Sequence, residues 1–248
     1  MNTPARIWAT VGRALSVYGQ RLNLFLGLAV IGNGATLAIN TWTGWQSRAS
    51  TTTGPTAAPM ALLIVAFNIA GIALNVWSIV ATYLATESAL QQRSMSLGGA
   101  LGAVRGKFWR YIGVSLLFGL IVLGGSLLLV IPGIYWAISF SLFGVVIALE
   151  ARGAVGPLRR SRHVVTGAWW RTFGLGWAIG LLYLPVIALY LLSVRQGGAT
   201  GNPAITHWGL YLLAQGLVLV LSPVTHIISV IWYHALKARQ GAATAVTT

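Results

Sequence analysis

Across 248 residues, 56% of side chains are apolar and 7% charged, with sixteen Lys and Arg against two Glu and no Asp. An ordinary soluble domain carries about 25% charged residues to cover its surface, so this composition excludes a soluble fold and suits one compact domain in lipid. A net charge of +14 is also seen in nucleic-acid binders; here the cations lie in short stretches between apolar runs, where they set membrane topology and meet anionic lipid, and no nucleic-acid partner is expected.

At the N-terminus, Ile7, Val11, Leu15, Tyr18 and Leu22 recur at helical spacing, while Arg6, Arg13 and Gln20 avoid that stripe. The pattern predicts an amphipathic helix over 3–20 lying in the membrane interface. The basic stretch is too long, and too far from any small-residue cleavage site, to read as a signal peptide.

A membrane helix needs ~20 apolar residues to cross a ~30 Å hydrocarbon core. That ruler predicts six spans, at 22–41, 61–84, 111–129, 133–149, 172–192 and 208–234, in one transmembrane domain over 1–241 with a flexible tail over 242–248. The expected fold is all-α: a six-helix bundle with short interfacial helices. The two larger loops, 43–58 with its Thr51-Thr52-Thr53-Gly54-Pro55 run and 194–206 with Gly197-Gly198, are polar and flexible in composition. Spans three and four are joined by Val130-Ile131-Pro132-Gly133, read as a type II turn in which Pro132 fixes one φ and Gly133 accepts the positive one.

Basic residues decide orientation. Arg6, Arg13, Arg21, Arg93, Arg105, Lys107, Arg110, Arg152, Arg159, Arg160, Arg162, Arg171, Lys237 and Arg239 fall on one side of the six spans, and Arg48 and Arg195 on the other. Fourteen against two places both termini in the cytoplasm. Trp42, Trp45, Trp136 and Trp208 then mark the outer boundary, and Trp109, Trp169, Trp170 and Trp232 the inner one, the depth that indole rings prefer.

The segments before spans three and five resemble each other. Trp109-Arg110-Tyr111-Ile112-Gly113 with Gly119-Leu120 returns as Trp170-Arg171-Thr172-Phe173-Gly174 with Gly180-Leu181, each after a short basic stretch. With the N-terminal helix as a weaker copy, the predicted unit is an interfacial helix followed by two spans, used three times. The bland alternative is that positive-inside proteins repeat Arg, Trp and Gly at such boundaries.

Leu127-Leu128-Leu129-Val130-Ile131-Pro132-Gly133-Ile134-Tyr135, then Ser139-Phe140 and Glu150, then Leu158-Arg159-Arg160-Ser161-Arg162 and Gly167-Ala168-Trp169-Trp170-Arg171, with Tyr233-His234-Ala235-Leu236-Lys237-Ala238-Arg239 at the close, resemble the membrane domain of the glycerophosphoryl diester phosphodiesterase membrane-domain family and related bacterial inner-membrane proteins. The resemblance covers roughly 98–241. It implies a six-helix domain in a bacterial inner membrane and no activity. The phosphodiesterase domain sometimes fused to it is missing, and two Glu without Asp do not supply its metal carboxylates.

Polar residues within spans are the default functional positions. Asn33 and Asn40 in span one, and Asn68 and Asn75 in span two, are each seven apart and share a helical face. Asn33 and Asn75 fall at similar depth, as do Asn40 and Asn68, which predicts an asparagine ladder. The simpler role is interhelical hydrogen bonding, with a substrate site as the alternative. His226 follows Ser222-Pro223, where proline can bend the helix; a packed histidine and a proton path are the two readings. Glu87 and Glu150 lie at the inner boundary and are expected to pair with Arg93, Arg152 or another boundary arginine. Gly176 and Gly180 make a small-residue packing face.

No phosphate-cradling glycine loop, HExxH or Ser–His–Asp set is present, cysteine is absent, and no cofactor or metal is expected. The sequence therefore points to a non-catalytic membrane-organising, accessory or assembly subunit. Its basic face, with Arg105, Lys107, Arg110, Arg159, Arg160, Arg162 and Arg171, would meet anionic phospholipids or other membrane subunits. A carrier or channel for a small or lipid-like solute is the alternative, and it requires a polar cavity at mid-membrane.

Overall fold

Long apolar runs in lipid must satisfy their backbone groups internally, and an open chain does so as α-helix. The computed structural model describes residues 3–49, 57–150, 156–196, 203–205 and 207–246. In chain order the helices are α1 (Thr3–Gln20), α2 (Leu22–Ala49), α3 (Ala57–Leu90), α4 (Leu97–Gly102), α5 (Phe108–Leu128), α6 (Val130–Ser139), α7 (Phe143–Glu150), α8 (Gly156–Val165), α9 (Trp169–Leu182), α10 (Leu184–Ser193) and α11 (Trp208–Val246). Between the last two, β1 (Val194–Gln196) and β2 (Pro203–Ile205) pair antiparallel with Val194 opposite Ile205, so the ends of the loop expected as flexible form a short ribbon. Arg152, residues 50–56 and 197–202, and the side chains of Arg6, Trp45, Arg48 and Arg195 lie outside the described residues.

Four helical stretches are long and apolar enough to cross a membrane: Leu62–Leu90, Phe108–Leu127, Val130–Glu150 and Trp208–Ala242. Two bent pairs, α1 with α2 at 94° and α9 with α10 at 44°, raise the number to six if each pair is one span. The chain is thus a helical, multi-pass membrane protein. Short helices α1, α4 and α8 precede α2–α3, α5–α7 and α9–α11 respectively.

α1 turns its Ile7, Val11, Ala14, Val17 and Tyr18 face into the core and packs on α11. Leu15 and Leu22, both expected on that stripe, are about half exposed, Leu15 two turns after the exposed Trp8 on α1 and Leu22 at the start of α2. The core gathers where α1, α2, α3, α7 and α11 meet, around Phe25, Val80, Ile147, Ile227, Ile228 and Tyr233. Away from it the apolar side chains Leu63, Ile69, Leu123 and Ile131 face outward, as lipid-facing positions do.

The joint between α5 and α6 differs from the expected type II turn. Leu129 alone breaks the helix, with extended backbone at φ −159° and ψ 138°. Pro132 lies in the first turn of α6, where its missing N–H costs no hydrogen bond. Gly133 is helical, and its function is close approach instead. An added Cβ there would lie 3.0 Å from the Ser126 backbone, and one at Gly125 would lie 2.6 Å from the Trp136 ring. The two glycines let the hairpin's helices touch.

Spans four and five are also not single rods. Phe140-Ser141-Leu142 separates α6 from α7, and Tyr183 separates α9 from α10, where Pro185 sits at the tolerant second position. α11 runs through Pro223 and on to Val246, so most of the expected tail is helical. Gly167 takes φ +80° and closes α8 in the left-handed conformation that glycine accommodates.

Gly125→Ala and Gly133→Ala should each destabilise the folded protein by about 1–3 kcal/mol through overpacking. Gly124→Ala, whose added Cβ meets nothing within 4 Å, should change stability by less than about 0.5 kcal/mol. Equilibrium unfolding in mixed micelles measures all three.

Candidate functional site

One end of the bundle gathers the ionic side chains, and α8 shows how. Its Pro157, Leu158, Ser161, Val164 and Val165 are buried at helical spacing while Arg159, Arg162 and His163 are exposed. Ser161 docks into the break between α6 and α7: its hydroxyl donates to the Ser139 carbonyl at 3.1 Å and accepts from the Leu142 N–H at 3.1 Å. A helix break frees backbone groups, and a buried hydroxyl from a neighbouring helix satisfies one of each kind.

Glu150, the last residue of α7, binds what surrounds it. Arg160 reaches it with two prongs, Nε to Oε2 at 3.0 Å and Nη2 to Oε1 at 3.4 Å. From α11, Lys237 Nζ donates to Oε1 at 2.9 Å, and the Tyr233 hydroxyl donates to the same oxygen. One carboxylate thus ties α7, α8 and α11 together. The Glu150 hydrogen bonds hold the Arg160 guanidinium above its ordinary pKa, against the lowering effect of partial burial.

The second carboxylate, Glu87 near the end of α3, pairs with His234 Nε2 of α11 at 2.6 Å and accepts from Gln91 Nε2 at 2.6 Å. The expected partner Arg93 is exposed, and its backbone N–H caps the Ser88 carbonyl. Among the described residues Arg160, Lys237 and His234 form the ion pairs with the two acids.

The remaining basic positions divide by exposure. Arg105, Arg159 and Arg162 are exposed. Lys107 is half-buried and its ammonium donates to the Ala148 carbonyl of α7. Burial pushes the Lys107 pKa down, and the adjacent Arg110 charge adds to that. Arg110 and Arg171 are half-buried, each following a tryptophan that points outward, Trp109 at 78% and Trp170 at 76% exposed. Tyr111 and Thr172, one residue on, are both buried.

Midway along the bundle, Asn75 Nδ2 donates to Asn33 Oδ1 at 2.9 Å, and Asn33 Nδ2 donates to Ser222 Oγ on α11 at 3.0 Å. The structure therefore joins Asn33 and Asn75 and adds a third helix. At the other expected rung, Asn68 donates to the Ile64 carbonyl of its own helix at 2.8 Å, and Asn40 is exposed on α2. His226 packs edge-on against Tyr83, ring centroids 5.4 Å apart.

Sequence reading missed Ser161, Ser222 and Tyr233 as linking residues. Tyr233 stands beside His234, and Ser222 lies one residue before the proline that drew notice; both were legible as polar groups near noted positions. Ser161 stands between Arg160 and Arg162, but its partners exist only once span four breaks.

The arrangement holds three stretches of chain in register around two carboxylates and presents cations outward. Among the described residues no three His, Cys, Asp or Glu side chains converge as a metal site. No family model, curated protein or solved structure matches this chain.

Ser161→Ala should cost about 1–3 kcal/mol, because it leaves the buried Leu142 N–H without its acceptor. Ser141→Ala, an exposed hydroxyl within the same break, is the matched control, and thermal unfolding in detergent reads the difference.

Proposed function

We propose that this is a non-catalytic, six-span membrane protein that organises or assembles membrane components through a basic cytoplasmic face. The observation that carries the reading is the charge balance at one end of the bundle: two carboxylates are already shared among Arg160, Lys237, His234 and Tyr233, while Arg105, Arg159 and Arg162 remain exposed. Cations in such excess suit an external anion, and anionic phospholipid headgroups or an acidic membrane subunit supply one. In this reading each bent pair, α1–α2 and α9–α10, contributes one crossing, both termini face the cytoplasm, and the resemblance to bacterial inner-membrane domains sets the compartment.

A threefold unit of short helix plus two crossings accounts for the placing of α1, α4 and α8. The matched exposure of Trp109 with Trp170, and the matched burial of Tyr111 with Thr172, support it. α1 would lie in the interface, with Trp8, Leu15 and Leu22 toward lipid. Transport is the weaker alternative, because the mid-bundle amides of Asn33 and Asn75 spend hydrogen bonds on each other and on Ser222.

Arg159→Glu combined with Arg162→Glu tests the reading without touching the Glu150 cluster. Each cation near an anionic surface contributes about 1 kcal/mol, so the double reversal should weaken anionic-lipid association about thirtyfold or more. Native mass spectrometry of the detergent-extracted protein measures bound lipid and partners together. Unchanged lipid and partner content would sink the proposal.

Nanodiscs should show the matching salt effect. Enrichment of anionic lipid around the wild-type protein should fall between about 0.05 and 0.5 M salt as the Debye length contracts, and the double variant should respond less steeply to that change.

A further inference from the structure

With both carboxylate side chains engaged elsewhere, Arg171 on α9 and Arg239 on α11 have no acidic side chain of this chain to meet. They nevertheless line one cavity of about 280 Å³, together with Ala9 and Thr10 of α1 and with Trp232. Arg239 is exposed and Arg171 half-buried, so two cationic side chains border one small cavity and a bound anion can draw on both. Phosphate suits the planar fork of arginine especially well.

A second cavity of about 520 Å³ lies between α6, α9 and α11. Its walls are chiefly apolar, including Ile134, Ile138, Leu175 and Trp177. Gly176 and Gly180, expected as a helix-packing face, open onto it instead, and an added Cβ at either would meet nothing within 4 Å. The cavities share Trp232, and the consecutive residues Arg171 and Thr172 line one each. Trp232 Nε1 donates to Thr172 Oγ1 at 3.2 Å and forms the ledge between them. From Thr172 to Gly180 the apolar cavity follows α9 for about 12 Å, at about 1.5 Å per residue.

We propose that the paired cavities bind one anionic glycerophospholipid, with its phosphate between Arg171 and Arg239 and an acyl chain along α9 past Gly176 and Gly180. A free phosphate has no use for the apolar half, and an acidic peptide would bring polar backbone into it unpaired. The proposal rests on reading the basic end as the headgroup side of the membrane, and it adds one defined site to what is otherwise diffuse attraction.

The test uses the full chain, delipidated in detergent and titrated with phosphatidylglycerol, phosphatidylcholine and glycerol 3-phosphate, with bound copies resolved by native mass spectrometry. One phosphatidylglycerol should bind more tightly than the rest. Arg171→Gln with Arg239→Gln should weaken it roughly thirtyfold, equivalent to two cations at about 1 kcal/mol each. Gly176→Leu, which favours the helix and fills the apolar half, should weaken phosphatidylglycerol and phosphatidylcholine alike. Undiminished phosphatidylglycerol binding in both variants overturns the proposal. So does equal wild-type affinity for the two lipids, or glycerol 3-phosphate binding as tightly as phosphatidylglycerol. Arg159→Glu with Arg162→Glu separates this site from the general reading: loosely held anionic lipid should go and the one tight copy stay. Loss of the tight copy in that variant, with Arg171→Gln and Arg239→Gln harmless, overturns the site and leaves the basic face standing.

Discussion

Two carboxylates must serve sixteen Lys and Arg, and the basic end of the fold is arranged around that shortage. A charge in low dielectric is costly unless paired and hydrogen-bonded, so an acid placed there is shared as widely as geometry allows. Glu150 takes Arg160, Lys237 and Tyr233, and Glu87 takes His234 and Gln91. Among the other described cations two courses recur. Some turn outward, as Arg105, Arg159 and Arg162 do, and some find a neutral acceptor, as Lys107 does at the Ala148 carbonyl.

The same shortage governs backbone packing. With few side chains able to pair ionically, the helices are joined by small contacts: glycines that admit a ring or a backbone, and hydroxyls or amides that bridge. Gly125 and Gly133 set the α5–α6 approach, Ser161 fills the α6–α7 break, and Asn33 links α3 to α11. Each is worth little alone, and interhelical hydrogen bonds of this kind contribute about 0.6 to 2 kcal/mol. Their value is specificity, because lipid does not itself drive one apolar helix against another.

Much of this was legible in the sequence where a single periodicity or length rule applies. The amphipathic run over 3–20 became α1, and the long apolar runs became α2, α3, α5 and α11 within a few residues at most of their ends. The Asn33–Asn75 contact followed from depth counting. The breaks did not follow. Leu129, Phe140 and Tyr183 are ordinary apolar or aromatic residues within apolar runs, and hydropathy is blind to a bend whose cost is met by a distant group. The Pro132-Gly133 pair misled for the converse reason: each residue has a turn role and a helix role, and the nearby Ser126 backbone, which selects the helix role for Gly133, is a tertiary fact. The Glu87–His234 pair was missed because two polar ends 147 residues apart announce no partnership in one dimension.

α11 carries a further meaning for how the molecule is made. Polar groups from four separate regions find their partners on it: Asn33 at Ser222, Thr172 at Trp232, Glu150 at Tyr233 and Lys237, and Glu87 at His234. α11 is also synthesised after each of the helices that supply these groups. Until it enters the bilayer the earlier helices hold amides, hydroxyls and acids whose permanent partners do not yet exist, in a solvent that offers few substitutes. Assembly therefore cannot finish crossing by crossing from the N-terminus. α11 acts as a keystone, and the nascent protein must keep its half-built polar contacts at the water-facing end, or shield them with lipid headgroups, until that helix arrives.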